Sequence, residues 1–123
     1  MKKQYTFIKP DYNLRNNLMA FGFECDNGWN FILEELCDKI KELVKSDPEK
    51  YEGFQFIQVK EKFSSLRVYC NYEDDEINKL IDEACAKSER TCEICGNPGR
   101  ITYRGTWMKT LCKKCEKERQ QNG

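Results

Sequence analysis

The chain has 123 residues, of which 39% are apolar and 34% charged, with 21 Lys and Arg against 21 Asp and Glu. That composition excludes a disordered segment, and at this length it predicts one domain, or one domain with a small metal-bound appendage. No run is apolar and long enough to cross a membrane, and the basic start Met1-Lys2-Lys3 has no apolar stretch behind it to make a secretory signal.

In chain order, the first 25 residues carry weak signals. Residues 14–21 predict a short helix, and Phe21-Gly22-Phe23 predicts apolar packing at a bend. Residues 29–46 read as an amphipathic helix: Trp29, Ile32, Leu33, Leu36, Cys37, Ile40, Leu43 and Val44 recur at steps of three and four and so share one face. Asp26-Asn27-Gly28 supplies capping and turn residues ahead of it, and Ser46-Asp47-Pro48 ends it. Residues 55–60 and 66–70 alternate as two strands around a turn at Lys62-Phe63-Ser64-Ser65, an antiparallel hairpin. Residues 75–88 form a second amphipathic helix on Ile77, Leu80, Ile81, Ala84, Cys85 and Ser88. The acidic run Glu73-Asp74-Asp75-Glu76 stands where the helix dipole favours negative charge, and is helix-start chemistry rather than a cation site. The fold class is α+β: residues 1–90 form the core of two helices and a hairpin, and residues 91–123 a metal-binding lobe.

That lobe carries the strongest chemical signal. Cys92 and Cys95 form one Cys-x-x-Cys pair, Cys112 and Cys115 a second, at the spacing with which four thiolates converge on one tetrahedral zinc. Gly96 follows Cys95 where a tight knuckle turns its backbone N–H groups onto the sulfurs. Residues 100–109 predict a hairpin turning at Gly105, and Cys112 to Glu118 a terminal helix with two ligands in its first turn. Knuckle, hairpin and ligand-bearing helix is a treble-clef-like order, with a zinc ribbon as the competing arrangement. Four thiolates close the coordination shell, so the zinc is structural; redox cysteines or an iron–sulfur cluster are the alternatives. Eight cysteines without an export signal fit a reducing, cytoplasmic setting rather than a disulfide-stapled secreted module. Cys37 and Cys85 read as buried thiols on apolar helix faces, while Cys25 and Cys70 have no assigned role.

The chain has no histidine, which removes the general base of His-Asn-His nucleases and the mixed His/Cys ligand sets of many zinc deaminases. It also has no Gly-rich phosphate loop and no nucleophile elbow, so the reading is non-enzymatic. The neutral total hides an asymmetry: residues 1–90 hold 14 basic and 18 acidic side chains, net −4, and residues 91–123 hold 7 and 3, net +4. Four zinc-bound thiolates reduce the tail to about +2, a weak footprint for nucleic acid. Lys60, Lys62 and Arg67, interleaved with aromatics, are nonetheless candidate phosphate contacts, together with Arg100, Arg104 and Lys109. The competing reading of that hairpin is an ordinary solvated face. Trp107 is expected to cap the zinc lobe against the helical core, the alternative being an exposed contact anchor.

Gly28-Trp29, the block from Val59 to Tyr69, Cys92-Glu93-x-Cys95-Gly96-x-Pro98-Gly99, Trp107 and Leu111-Cys112-x-x-Cys115 together resemble a family of small uncharacterised bacteriophage and prophage proteins. The resemblance covers roughly residues 28–115, and Ser64 stands where it places a glycine. The family carries no transferable activity. A looser resemblance, in size, metal site and phage-like family, is to zinc-binding type II anti-CRISPR proteins, which block a host's RNA-guided nuclease by direct binding. It implies a host protein complex as partner, with nucleic acid as the alternative.

Overall fold

Two amphipathic helices pack against each other and share one core with a small mixed sheet, and a separate hairpin carries the cysteine-rich end. The computed structural model describes residues 5–122, and side chains as far as Arg119. Strand β1 (Phe23–Glu24) is followed by a 3-10 turn over Asn27–Trp29, helix α1 (Asn30–Ser46), strands β2 (Phe56–Lys62) and β3 (Ser65–Cys70), and helix α2 (Asp75–Ser88). The lobe adds strands β4 (Arg100–Arg104) and β5 (Trp107–Leu111) and helix α3 (Lys113–Asn122). No helix among the described residues is long and apolar enough to cross a membrane.

Both amphipathic helices form where the periodicity predicts them. Ile32, Leu33, Leu36, Cys37 and Ile40 of α1 and Ile77, Ile81, Ala84 and Ser88 of α2 are buried. Asp74 caps α2, its Oδ1 accepting the Ile77 N–H at 2.8 Å, so the acidic run does start the helix. Asp26 does not cap: the 3-10 turn ahead of α1 has no side-chain cap, and its carboxylate turns instead toward the metal lobe.

The hairpin β2–β3 is antiparallel, pairing Val59 with Val68 and Lys60 with Arg67, and β1 joins it in parallel through Phe23↔Val59. The sheet is therefore three-stranded and mixed rather than a lone hairpin. Phe63 and Ser64 form its two-residue turn with φ of 51° and 69°. Such primed turns match the twist of the strands but need the left-handed region at both central residues, which normally selects glycine or asparagine. The glycine expected at position 64 thus has a physical reason, and this chain holds serine in the same conformation.

Along the N-terminal segment Phe7 packs its ring 5.0 Å from that of Phe56, and its carbonyl accepts the Phe56 N–H at 2.8 Å. The helix expected over residues 14–21 is reduced to a 3-10 turn at Met19–Phe21. Asp11 is the reason: its carboxylate accepts the N–H groups of Asn13, Arg15 and Asn16, a local alternative to helical bonding, and Leu14 is driven to φ 57°.

Candidate metal centre

The knuckle is tied by short backbone bonds that its glycines permit. Cys92 donates to the Asn97 carbonyl at 2.7 Å and Gly96 to the Cys92 carbonyl at 2.9 Å, with Gly96 at φ 84°. Gly105, at φ 60°, turns β4 into β5, which leads directly to Cys112; Cys115 lies in the first turn of α3. These elements bring the sulfurs of Cys92, Cys95, Cys112 and Cys115 within 4.8 Å of one another. All four are free of disulfides, and Cys95 Sγ lies 3.6 Å from Cys112 Sγ. A tetrahedral ion with metal–sulfur bonds near 2.3 Å separates its ligands by roughly 3.8 Å, so the donor set fits a metal ion.

The protein environment prepares thiolate at this point. Burial pushes the Cys92 thiol up, but N–H groups of Cys112, Cys95 and Ile94 directed at its sulfur outweigh that and bring it down to about 7. The Cys115 N–H points at Cys112 Sγ from 3.4 Å. Burial, then the neighbouring sulfurs, push Cys115 the other way. Four sulfurs this close cannot all be anionic without a cation between them.

The remaining cysteines lie outside this cluster. Burial raises Cys25, Cys37 and Cys70 to about 12, and Cys85 also goes up for that reason. Cys37 is fully buried, as expected, whereas Cys85 is half-buried and its thiol donates to the Leu66 carbonyl at 2.8 Å. No second cluster of three or more ligating side chains occurs among the described residues.

The lobe is joined to the core by a seam that sequence reading located on the wrong tryptophan. Trp107 is 69% exposed and caps nothing. Trp29 is fully buried, and its indole N–H donates to the Thr91 carbonyl at 2.9 Å. Gly28 donates to the Glu93 carbonyl at 2.6 Å, and a Cβ there would stand 2.2 Å from the Cys92 carbonyl oxygen. The Gly28-Trp29 pair is therefore the place where α1 docks onto the knuckle. Glu93 completes the seam. It is buried, accepts the Asp26 N–H at 3.0 Å, and its burial raises its pKa. Lys109 lies 2.9 Å from Asp26 and 3.5 Å from Glu93. In the sequence Glu93 stands out only as a matched position of the resemblance, without a role; the signal for one is a carboxylate inside an otherwise uncharged knuckle.

The candidate basic residues divide. Lys60 and Arg67 are cross-strand partners on the outward face of the sheet with Gln58 and Tyr69, and Lys62 is exposed at its end. Lys109 is committed to Asp26 and Glu93, and Arg100 pairs with Glu116 at 3.4 Å. Arg104 is exposed. No protein-family model matches the chain, and no curated protein and no solved structure is significantly similar to it.

Proposed function

We propose that this chain is a non-enzymatic binding protein, folded around a structural zinc held by Cys92, Cys95, Cys112 and Cys115, that attaches to and inhibits a host defence complex of the RNA-guided nuclease kind. The lobe's order of knuckle, hairpin and ligand-bearing helix supports a treble-clef-like assignment. Four cysteine ligands leave no position for water or substrate, so the metal supplies folding free energy rather than chemistry. A phage-encoded protein of this type works in the cytoplasm of its bacterial host.

The observation that carries the reading is an open acidic surface on α1, lined by Phe31, Glu34, Glu35, Asp38, Lys39 and Glu42. Phe31 is 52% exposed, an aromatic anchor at the N-terminal end of this row of carboxylates. It also abuts the knuckle, since a Cβ on Gly96 would lie 3.7 Å from its ring. Glu35 is paired with Lys39 and Lys87, yet the four carboxylates of the lining leave it net negative, and with its aromatic anchor it complements the basic channel in which a nucleic-acid enzyme holds its substrate.

The test is titration of the zinc-loaded protein against purified RNA-guided nuclease complexes, reading complex formation and target cleavage. Saturable binding with loss of cleavage is expected, weakened roughly tenfold or more by Phe31→Ala or Glu42→Lys. Absence of binding across such a panel, or binding indifferent to both substitutions, refutes the reading.

A further inference from the structure

The tip of the metal lobe carries a second surface, opposite in charge to the acidic one on α1. The two-residue turn Gly105-Thr106 sets Arg104 directly across from Trp107 in the β4–β5 register. Residues directly opposite each other on paired strands share a face, so the indole and the guanidinium stand side by side. Trp107 is 69% exposed, although an indole in solution forfeits the burial that normally retains tryptophan. Helix α3 brings Arg119 to the same place, and its main-chain carbonyl accepts from Arg104 Nη1 at 3.4 Å. Together Arg104, Gly105, Trp107, Lys109 and Arg119 line an open concavity of about 610 Å³. Among the described residues no carboxylate lines it or pairs with Arg104 or Arg119. Lys109 is already neutralised by Asp26 and Glu93, so the uncompensated charge is that of the two arginines.

We infer that this concavity is a binding site for single-stranded nucleic acid, with a base stacked on Trp107 and the adjoining phosphate held by Arg104 and Arg119. A flat exposed ring beside two guanidinium groups matches the two parts of a nucleotide: every base offers a π-face, and a planar guanidinium reaches a phosphate with two parallel N–H donors. An acidic peptide would satisfy the arginines and leave the indole exposed. A duplex would offer phosphates but keep its bases stacked away from the ring. The site differs from the sheet face of Lys60, Lys62 and Arg67, and from the acidic surface on α1 to which protein binding was assigned above. The two inferences stand or fall separately.

Trp107 is its own reporter, because Trp29 is fully buried and contributes a constant background. The zinc-loaded full chain is titrated at low salt with oligo(dT), with a duplex of the same length and with poly-glutamate. Oligo(dT) is expected to quench the emission, and the log of its affinity to fall with log salt at about 0.7 per phosphate contacted. Removing both arginines (Arg104→Ala with Arg119→Ala) should lower that slope by about 1.4. Trp107→Ala, followed with a dye-labelled oligonucleotide, should weaken binding roughly five- to hundredfold. Both variants lie at exposed or partly exposed positions, and far-UV circular dichroism with zinc content establishes that they fold. Glu42→Gln on α1 should leave the affinity unchanged. The inference is overturned by an unquenched Trp107, by equal quenching with duplex or poly-glutamate, or by oligonucleotide binding that Trp107→Ala leaves intact.

Discussion

Replacement of Gly28 by alanine tests the seam between core and metal lobe more sharply than any ligand substitution. Gly28 is not in the left-handed region, so backbone preference alone predicts that Gly28→Ala stabilises the fold by about 0.5–1 kcal/mol. The packing predicts the opposite. The new Cβ would stand 2.2 Å from the Cys92 oxygen and 2.4 Å from the Glu93 oxygen, both main-chain atoms of a knuckle that cannot swing aside. Ordinary C···O contacts begin near 3.3 Å, so the seam must open by about 1 Å. Three hydrogen bonds cross it: Gly28 to Glu93 at 2.6 Å, Asp26 to the Glu93 carboxylate at 3.0 Å, and Trp29 to Thr91 at 2.9 Å. At about 1 kcal/mol each, with about 1–3 kcal/mol for overpacking, the net loss is about 3–5 kcal/mol after the backbone gain. That is a large part of the roughly 5–15 kcal/mol that holds a domain of this size. Urea denaturation followed by circular dichroism measures it, with Gly53→Ala as control. Gly53 has φ 77° but open space around its Cβ position, so its substitution should cost only about 1 kcal/mol of backbone strain. A Gly28→Ala midpoint equal to or above the parent's would show that the seam does not bear on stability.

Ser64→Gly should stabilise the protein by about 1 kcal/mol in the same assay, because it relieves a residue at φ 69° and removes a buried hydroxyl that lacks a hydrogen-bond partner; a loss of stability contradicts the strain argument. The zinc-loaded protein should contain one metal ion per chain by mass spectrometry, and a strong chelator should abolish the ordered amide signals of residues 91–119 in an NMR spectrum; a lobe unchanged by chelation rules out the structural-metal reading. Asp74→Ala should cost about 1–2 kcal/mol at neutral pH through loss of the α2 cap. The N–H of Ile77 first, then the Tyr51 hydroxyl and Lys50, hold the Asp74 carboxyl below its usual range, so its contribution is present above the ordinary aspartate pKa and is lost as pH falls through the depressed one. The acid limb of the stability profile should accordingly flatten in Asp74→Ala, and an identical limb in both proteins refutes the assignment.

How much of this was legible in the sequence depended on how local each cause is. Helix α2 runs over the residues its periodicity predicts because its signals, an apolar stripe and an aspartate cap, lie within the segment itself. The convergence of the four cysteines was equally legible, since metal spacing is a short-range property and the sulfurs come together as the spacing requires. Strand β1 was not: two residues pair in parallel with β2, more than thirty positions away, and nothing in Phe23-Glu24 announces a partner. Residues 14–21 misled for a different reason, because the Asp11 side chain competes for the N–H groups a helix would have used. Of the two tryptophans only Trp107 misled. Trp29 continues the buried stripe of α1, whereas Trp107 begins a strand in a two-stranded hairpin too small to bury both of its faces.

The seam also decides what the metal does for the rest of the molecule. A lobe attached by a flexible link would unfold alone on chelation and leave the core untouched. Here the knuckle's own backbone accepts from Gly28 and Trp29, in the 3-10 turn that leads into α1, and the buried Glu93 accepts from Asp26. Loss of the ion therefore leaves a buried indole N–H, a buried carboxylate and the start of α1 without partners, each a cost of about 1–3 kcal/mol to the core. The coupling runs both ways: zinc affinity should fall in Gly28→Ala although no ligand has changed, because a site assembled by folding binds only as tightly as the fold permits. Competition with a chromogenic chelator measures that affinity directly. An unchanged zinc affinity in a variant whose core is destabilised would mean that the two parts fold independently. The acidic surface on α1 and the arginine–tryptophan concavity on the lobe would then no longer be held in a fixed relation by the metal.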